Sequence, residues 1–422
     1  MKFSTKSIEE VSNKLIDYRG KTPVKATNGI KLITAKVIKD GFIKSGKHEY
    51  ISAESYDTWM RRGLPRQWDI LITTEAPLGE VAQIRSTEKV ALAQRVILLR
   101  GNPEIIDQQF YFQCLKSEFV QAGLKARSTG TTVFGIKQSE LRQVQIPVPP
   151  LPTQHKVASI LSAYDDMIEN NLRRIKILEE MAQNLYREWF VKFRFPGHEN
   201  TRFVDSPLGK IPEGWEIGTL GTISTIIPGY AFKSKDWSKT GIPVIKIKNI
   251  HPNNLIDTDQ VDFVQEGILS QKHDKYWLHN GDILIAMTGA TAGKVGKIRS
   301  KVSMLLNQRV AKFEPKQNYR EFLWCTVCSP SAEKGFFALA DGAAQPNMSG
   351  SQIENVELLL PKTNLISDFN EIVSPFIKGV DNMLLRNQIL RQTRDLLLPK
   401  LISGEIDVSE MDIETQQDEV PA

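Results

Sequence analysis

The chain has 422 residues, 41% of them hydrophobic and 24% charged, and a formal net charge of +5. At roughly 100–200 residues per domain, this length predicts two or three folded units, and the composition excludes a disordered chain. No window approaches the ~20 uncharged apolar residues of a spanning helix, so no membrane association is expected.

The opening MKFSTKSIEEV has no apolar core and is not read as a secretion signal. Three cysteines (Cys114, Cys325, Cys328) are too few for a disulfide framework and point to a reducing cytosol. Residues 1–150 hold 23 Lys and Arg against 15 Asp and Glu, whereas residues 401–422 hold seven acids and no Lys or Arg. The basic body suits a polyanionic partner.

Residues 1–150 read as a first mixed module. Short apolar runs bounded by Gly, Pro and Asp, such as Val96-Ile97-Leu98-Leu99, predict strands, and the stretch 108–124 has helical spacing. Two loops have the composition of phosphate and base contacts. Arg61-Arg62-Gly63-Leu64-Pro65-Arg66 is basic and turn-rich. Lys125–Thr132 sets Lys125, Arg127, Ser128, Thr129 and Thr131 around Gly130.

The Pro-rich stretch 146–152 closes the module, and a helix with linker is predicted over 151–204. Val157, Leu161, Tyr164, Ile168, Asn171, Ile175, Leu178, Ala182, Leu185 and Trp189 follow alternating steps of four and three, a heptad seam. Pro152 and Thr153 predict its start and Pro196-Gly197 its end. At about 1.5 Å per residue such a helix is roughly 55 Å long.

The second half repeats the first at an offset of about 212 residues. Gly241-Ile242-Pro243-Val244-Ile245 answers Gly29–Ile33, Asp282–Ile285 answers Asp69–Ile72, and Gln308-Arg309-Val310 answers Gln94-Arg95-Val96. A second module is therefore predicted over 205–361 and a second long helix over 362–404, with an acidic solvated tail over 405–422. The second seam is Phe369, Val373, Phe376, Val380, Met383, Asn387, Leu390, Arg394, Leu397 and Leu401, with Pro375 and Gly379 expected to bend or break its first turns. An Asn sits inside each seam, where a buried amide fixes register. Either the helices pair and hold the modules apart, or each packs on its own module. The fold class is α+β, with two similar mixed α/β modules separated by two long helices.

Candidate contacts in the second module are Tyr230 and Lys233, then Lys246, Lys248 and Asn249, then Thr288, Thr291 and Lys294. Gln345 and Asn347 occupy the counterpart of the Lys125 loop, and amides there suit adenine edges. Catalytic motifs do not assemble. The loop Thr288–Gly296 lacks the spacing of a phosphate-binding Walker loop and reads as a tight hairpin. Cys325-x-x-Cys328 has no partner pair and reads as a buried helical pair. Tyr186, Trp189 and Phe190 serve either docking or internal packing. The expectation is a binding protein, without metal, whose frame repeats while its loops differ.

The order of several short segments resembles the DNA-specificity (S) subunit of type I restriction-modification systems. The matching pieces are Leu208–Glu216 (LGKIPEGWE), Gly281-Asp-Ile-Leu-Ile with the Gly289/Gly293 loop, Asn307-Gln-Arg309, Leu151-Pro-Thr-Gln-His155, and Leu398–Glu405 (LPKLISGE). The resemblance implies two target-recognition domains and helices paired antiparallel as a coiled coil, a pseudo-twofold molecule. Each domain would read half of a bipartite site on double-stranded DNA. It also implies a non-catalytic chain in the cytoplasm. Its partners would be two modification (methyltransferase) subunits, which hold S-adenosylmethionine, and restriction subunits that translocate and cleave; no cofactor is expected in this chain. The first module has Thr74–Gly79 (TEAPLG) where the second has Thr288–Gly293, one glycine fewer. The alternatives are a self-sufficient methyltransferase or nuclease and a structural adaptor without nucleic acid.

Overall fold

A computed structural model describes residues 3–18, 22–44, 48–252, 254–340 and 347–414. The chain divides into two compact units. One comprises Met1–Ile168 with Ile389–Ala422, the other Glu169–Gln388.

In the first unit an antiparallel sheet runs in the order Ser12–Asp17, Val96–Gly101, Ile70–Thr74, Leu78–Gln83. Its inner strands are apolar on both faces because both faces are covered. Ile97 and Leu99 enter one core with Phe110 and Leu115 of helix Gln108–Lys116, while Val96 and Leu98 enter a second core with Leu32 and Ile33. That second core is closed by the sheet Glu49–Ile51, Ile30–Ile33, Val90–Leu92, whose last pair is parallel. Asp107 caps the helix by accepting the Phe110 N–H at 2.7 Å.

The second unit repeats this plan. Its antiparallel sheet is ordered Ser224–Pro228, Val310–Pro315, Ile283–Ala286, Val295–Lys297. Ile283 and Ile285 face one core, and Leu284 and Ala286 face another. A five-stranded sheet takes the place of the three-stranded one and keeps the parallel pair, Ile242–Ile245 with Met304–Leu306. Gly29 and Gly241 hold the same corner. Their φ values are 122° and 128°, and a Cβ at either would lie 2.3 Å from a carbonyl oxygen, of Ile51 or Val264.

The first long helix spans Leu151–Tyr186 and continues as a π-helical turn, Arg187–Val191. The second spans Thr363–Ser403 without a break. The break expected at Pro375 and Gly379 does not occur. Pro375 is exposed, and Gly379 leaves room for Leu178, whose Cδ1 would be 3.2 Å from a Cβ there. Pro152 sits inside the first helical turn rather than before it, where a missing N–H costs nothing.

No seam residue on either helix is exposed. In the first unit Val157 and Leu161 share a core with Leu398, Leu401 and partly buried Leu397. In the second, Ala182 and Trp189 share one with Phe369, Val373 and partly buried Phe376. The helices are therefore antiparallel. The apolar face is also wider than a coiled-coil seam, since Ala158, Phe190, Ile366 and Ile402 join the same cores. Pairing and packing on the module occur together, so the two sequence alternatives are not exclusive. Tyr186, Trp189 and Phe190 are spent internally: Phe190 meets Phe322 and Phe369 edge-on at 4.9 Å each.

Each unit carries an aspartate on a long helix that holds two cations, buried in the first unit and half-buried in the second. In the first, Asp165 accepts from Arg394 at 2.6 Å, Lys116 at 3.0 Å and Gln113 at 2.9 Å. Burial opposes its charge, but the two cations outweigh burial and hold the carboxyl below the usual range. In the second, Asp381 accepts from Arg299 at 2.9 Å and Lys297 at 3.3 Å.

The acidic tail does not begin at residue 405. Val408 is buried in the first unit's core, with Ile406 and Ile413 packed against it. Lys156 donates to the Ser409 carbonyl at 2.7 Å and Ser159 to that of Glu414 at 2.8 Å. Apolar residues spaced among the acids supply the anchor.

Candidate nucleic-acid interface

In the first unit the loop after helix Ala53–Trp59 is stiff. Tyr18 donates to the Gly63 carbonyl at 2.8 Å, its ring stacks on Trp59 at 5.8 Å, and Arg62 donates through its guanidinium to the Asp17 carbonyl and through its backbone to Tyr18 Oη at 3.1 Å. Arg66 is fixed by its backbone N–H on Asp69, which also takes a bidentate pair from Arg100 at 2.7 Å per bond. Arg61 bonds the Thr58 carbonyl at 2.8 Å. All three candidate arginines stay exposed.

The loop 127–135 is closed by a reciprocal pair of backbone bonds between Thr129 and Gly135, 2.8 and 2.9 Å long. Gly130 makes the closure possible, with φ 120° and a Cβ position 2.1 Å from the Val133 carbonyl oxygen. Thr129 and Thr131 are exposed, Ser128 caps the preceding turn at the Lys125 carbonyl (2.6 Å), and Arg127 pairs with Glu140 at 3.1 Å. Beside it lies a groove of about 750 Å³ floored by Pro77, Leu78 and Leu124, with Val133 and Phe134 exposed at its rim.

The second unit gathers several candidates into one patch. Tyr230 packs edge-on against buried His273 at 4.7 Å, with Phe232 at 5.0 Å. Lys246 lies 3.4 Å over the Trp237 ring, Lys272 5.5 Å over Tyr230 and Lys275 5.1 Å over Tyr276. Lys233 is exposed at the turn Ser234–Asp236. Lys246 and Lys248 both contact Asp262 and hold its carboxyl below the usual carboxylate range. Sequence alone does not mark Trp237, Asp262, Lys272 and Lys275. For the two lysines the signal is the proximity of lysine and aromatic residues at 272–277 (KHDKYW).

Asn249 is a correction. It is 1% exposed, accepts the Lys246 N–H at 2.9 Å and donates to the Gln260 carbonyl at 2.9 Å. It shapes the turn and is not available for contact.

Thr288, Thr291 and Lys294 form a second group in the same unit. The loop is a hairpin turn between Ile283–Ala286 and Val295–Lys297. Lys294 is paired with Glu333, which competes with any phosphate. Thr288 bridges to exposed Asn347; Gln345 lies outside the described residues. Asn307-Gln308-Arg309 links the two groups: Gln308 N–H donates to the Tyr230 carbonyl and Met287 N–H to the Arg309 carbonyl, each at 2.8 Å. Thr74 N–H bonds the Arg95 carbonyl in the same manner in the first unit, at 3.0 Å.

Other shared segments are structural. Gln154 is fully buried, donating to the Ile105 and Pro149 carbonyls and accepting the Asp107 N–H. Trp215 packs between Phe193 and Phe195. Gly404, φ 74°, admits the Phe3 ring, 2.7 Å from where its Cβ would be. Burial pushes the Cys325 thiol up to about 12, as suits a packed core cysteine. Among the described residues no cluster of three or more His, Cys, Asp or Glu is placed to hold a metal, and no helix is long and apolar enough to cross a membrane.

Comparison with known proteins agrees with the repeat. Residues 2–180 and 212–390 each match the family model described as the type I restriction modification DNA specificity domain. The chain is 27% identical over 347 residues to the MjaIX type I restriction enzyme specificity subunit of Methanocaldococcus jannaschii, covering 81% of this chain and 78% of that one. It is 26% identical to the HindI specificity subunit of Haemophilus influenzae, covering 76% and 82%. The crystal structure of the type I restriction-modification S subunit from M. genitalium superposes with a TM-score of 0.58 at 18% identity, over 94% of this chain and 96% of that one.

Proposed function

The chain belongs to the type I restriction-modification DNA-specificity family, and from that premise we propose that each of its domains reads one half of a bipartite site on double-stranded DNA. The observation that carries the proposal is the repetition of one frame with unlike loops. The corner glycines Gly29 and Gly241 share a positive φ, 122° and 128°, while the loop that carries Lys125 and Arg127 in the first unit has the amide Asn347 in its counterpart in the second. Two sites of different sequence require that combination. Lysine and arginine on the loops supply affinity through phosphates, and side chains at base edges supply specificity.

The chain itself is a non-catalytic specificity subunit. Methyl transfer then falls to partner modification subunits carrying S-adenosylmethionine, two of them by the pseudo-twofold repeat, and cleavage to restriction subunits. Neither Tyr186, Trp189 nor Phe190 is free to dock them, so docking uses other surfaces. The working compartment is the cytoplasm.

The test is to exchange residues 1–150 for the corresponding domain of another family member and sequence the sites modified by the assembled complex. One half of the site changes and the other is retained. A change in both halves, or S-adenosylmethionine binding by the purified chain alone, contradicts the reading.

A further inference from the structure

The lysine-rich edge of the second unit contains a carboxylate where a plain phosphate-binding surface would have none. Asp262 opens the strand Asp262–Val264. Its Oδ2 lies 2.8 Å from Lys246 Nζ and 3.0 Å from Lys248 Nζ, and Lys248 donates to Oδ1 at 3.0 Å. Lys246 is steadied from its other side by the Trp237 ring at 3.4 Å. The side chains of Lys246, Asp262 and Lys248 are 28%, 37% and 55% exposed, so all three reach solvent. The order presented is donor, acceptor, donor.

A phosphate approaching either ammonium group also approaches the carboxylate, which repels it. A base edge is neutral and offers both donors and acceptors. In the major groove an A·T pair presents adenine N7 as acceptor, adenine N6 as donor and thymine O4 as acceptor. That row complements donor, acceptor, donor from either direction. A G·C pair presents N7 and O6, two acceptors, before the cytosine N4 donor. Its central O6 would face the Asp262 carboxylate with no proton between them. We propose that Lys246, Asp262 and Lys248 read an A·T base pair in the half-site bound by the second domain. The proposal rests on the DNA-reading function argued above.

The first domain supports a reading role at this place in the frame. Glu49 pairs across the sheet with Leu32 as Asp262 does with Val244. Glu49 pairs with Lys25 at 2.9 Å, its one lysine among the described residues, and the residue following the strand Ile30–Ile33 is Thr34 where the second domain has Lys246. The carboxylate recurs while its donors change, so the two domains present different patterns at equivalent positions.

The experiment assembles full-length Asp262→Asn and Lys248→Gln chains with the modification subunits of the same system and selects bound sites from a randomised duplex library. Both variants should lose about tenfold or more of the preference at one shared A·T position of one half-site, with the other half unchanged. Asp262→Ala, which frees both lysines, should also steepen the salt dependence of binding. The proposal is overturned if the affected position is G·C, or if base preferences persist and only total affinity changes. A wild-type complex without sequence preference in either half would instead end the DNA-reading function itself, and the triad with it. Lys248 is exposed enough that its variant decides the matter should an Asp262 variant fail to fold.

Discussion

Asn171 donates through Nδ2 to Asn387 Oδ1 at 2.8 Å, joining the two long helices inside their apolar seams. Asn387 is fully buried. Its seam neighbours are Met383 and Leu390, and those of Asn171 are Ile168 and Ile175, so a register slip would set each amide against aliphatic carbon. The aromatic contact between Trp189 and Phe369, 5.9 Å between centroids, obeys the same register: eighteen residues on from Asn171 meets eighteen back from Asn387. The amide pair selects one antiparallel alignment among those the heptads alone would permit.

Replacing one member should therefore cost more than replacing both. Asn387→Leu strands the Asn171 amide and is expected to lower unfolding stability by about 1–3 kcal/mol. The Asn171→Leu/Asn387→Leu double variant should recover most of that loss, with a coupling energy of about 0.5–3 kcal/mol in denaturant melts. Additive losses would show that the bond does not specify the pairing.

The heptad seams were legible because a 3.5-residue period needs only local sequence, and the repeat was legible because its markers sit on turns and strand starts. The buried ion cluster was not. Asp165-Asp166 looks like a solvated doublet, and the partners that bury Asp165 lie 49 and 229 residues away. Asn249 resembled a contact residue beside two lysines, yet its amide closes a three-residue turn, a local role that composition cannot separate from a surface one. Asp262 was invisible for a related reason: strand pairing, not sequence proximity, brings it to Lys246. Val408 was masked by the acids around it.

Asp165→Asn should be among the most damaging single substitutions in the first unit. It leaves Lys116, about 10% exposed, without its counter-charge, and Arg394 with only the exposed Asp395 at 2.8 Å. A loss of roughly 3–5 kcal/mol is expected for breaking such a buried network from one side. A loss below 1 kcal/mol in chemical denaturation would mean that the cations escape to water.

The same carboxylate predicts an acid dependence of defined sign. Burial raises its pKa, but the charges of Lys116 and Arg394 lower it more, so the folded value lies below the ordinary 3.8. Asp165 therefore stabilises the fold fully above pH 3.8, and that contribution is lost as pH falls through the lower folded value. The stability gap between the wild-type chain and Asp165→Asn should narrow as pH drops below 3.8. A gap that widens on acidification would reverse the assignment.

Gly241→Ala and Gly29→Ala should each strain one unit. Either methyl would sit 2.3 Å from a carbonyl oxygen at a φ near 125° that L-residues avoid. About 1–3 kcal/mol or more is expected from each. Hydrogen exchange should accelerate in Ile283–Ala286 for Gly241→Ala and in Ile70–Thr74 for Gly29→Ala; the reverse pattern would refute independent frames.

Truncation after Gly404 tests whether the last segment is structure or solvated tail. The cut removes Val408, 1% exposed, together with Ile406 and Ile413, from the core that holds Leu398 and Leu401. It also removes the carbonyls bonded by Lys156 and Ser159, which lie on the first turns of the long helix. Val408→Ala alone should cost about 1–2 kcal/mol from lost burial and the void left behind. The truncation should cost more, and the loss should appear as faster amide exchange in Val96–Gly101 and in residues 151–160. Exchange in Val310–Pro315, which packs in a different core, should stay at the wild-type rate. A truncated chain with wild-type exchange throughout would return the segment to the solvated tail that its charge suggests.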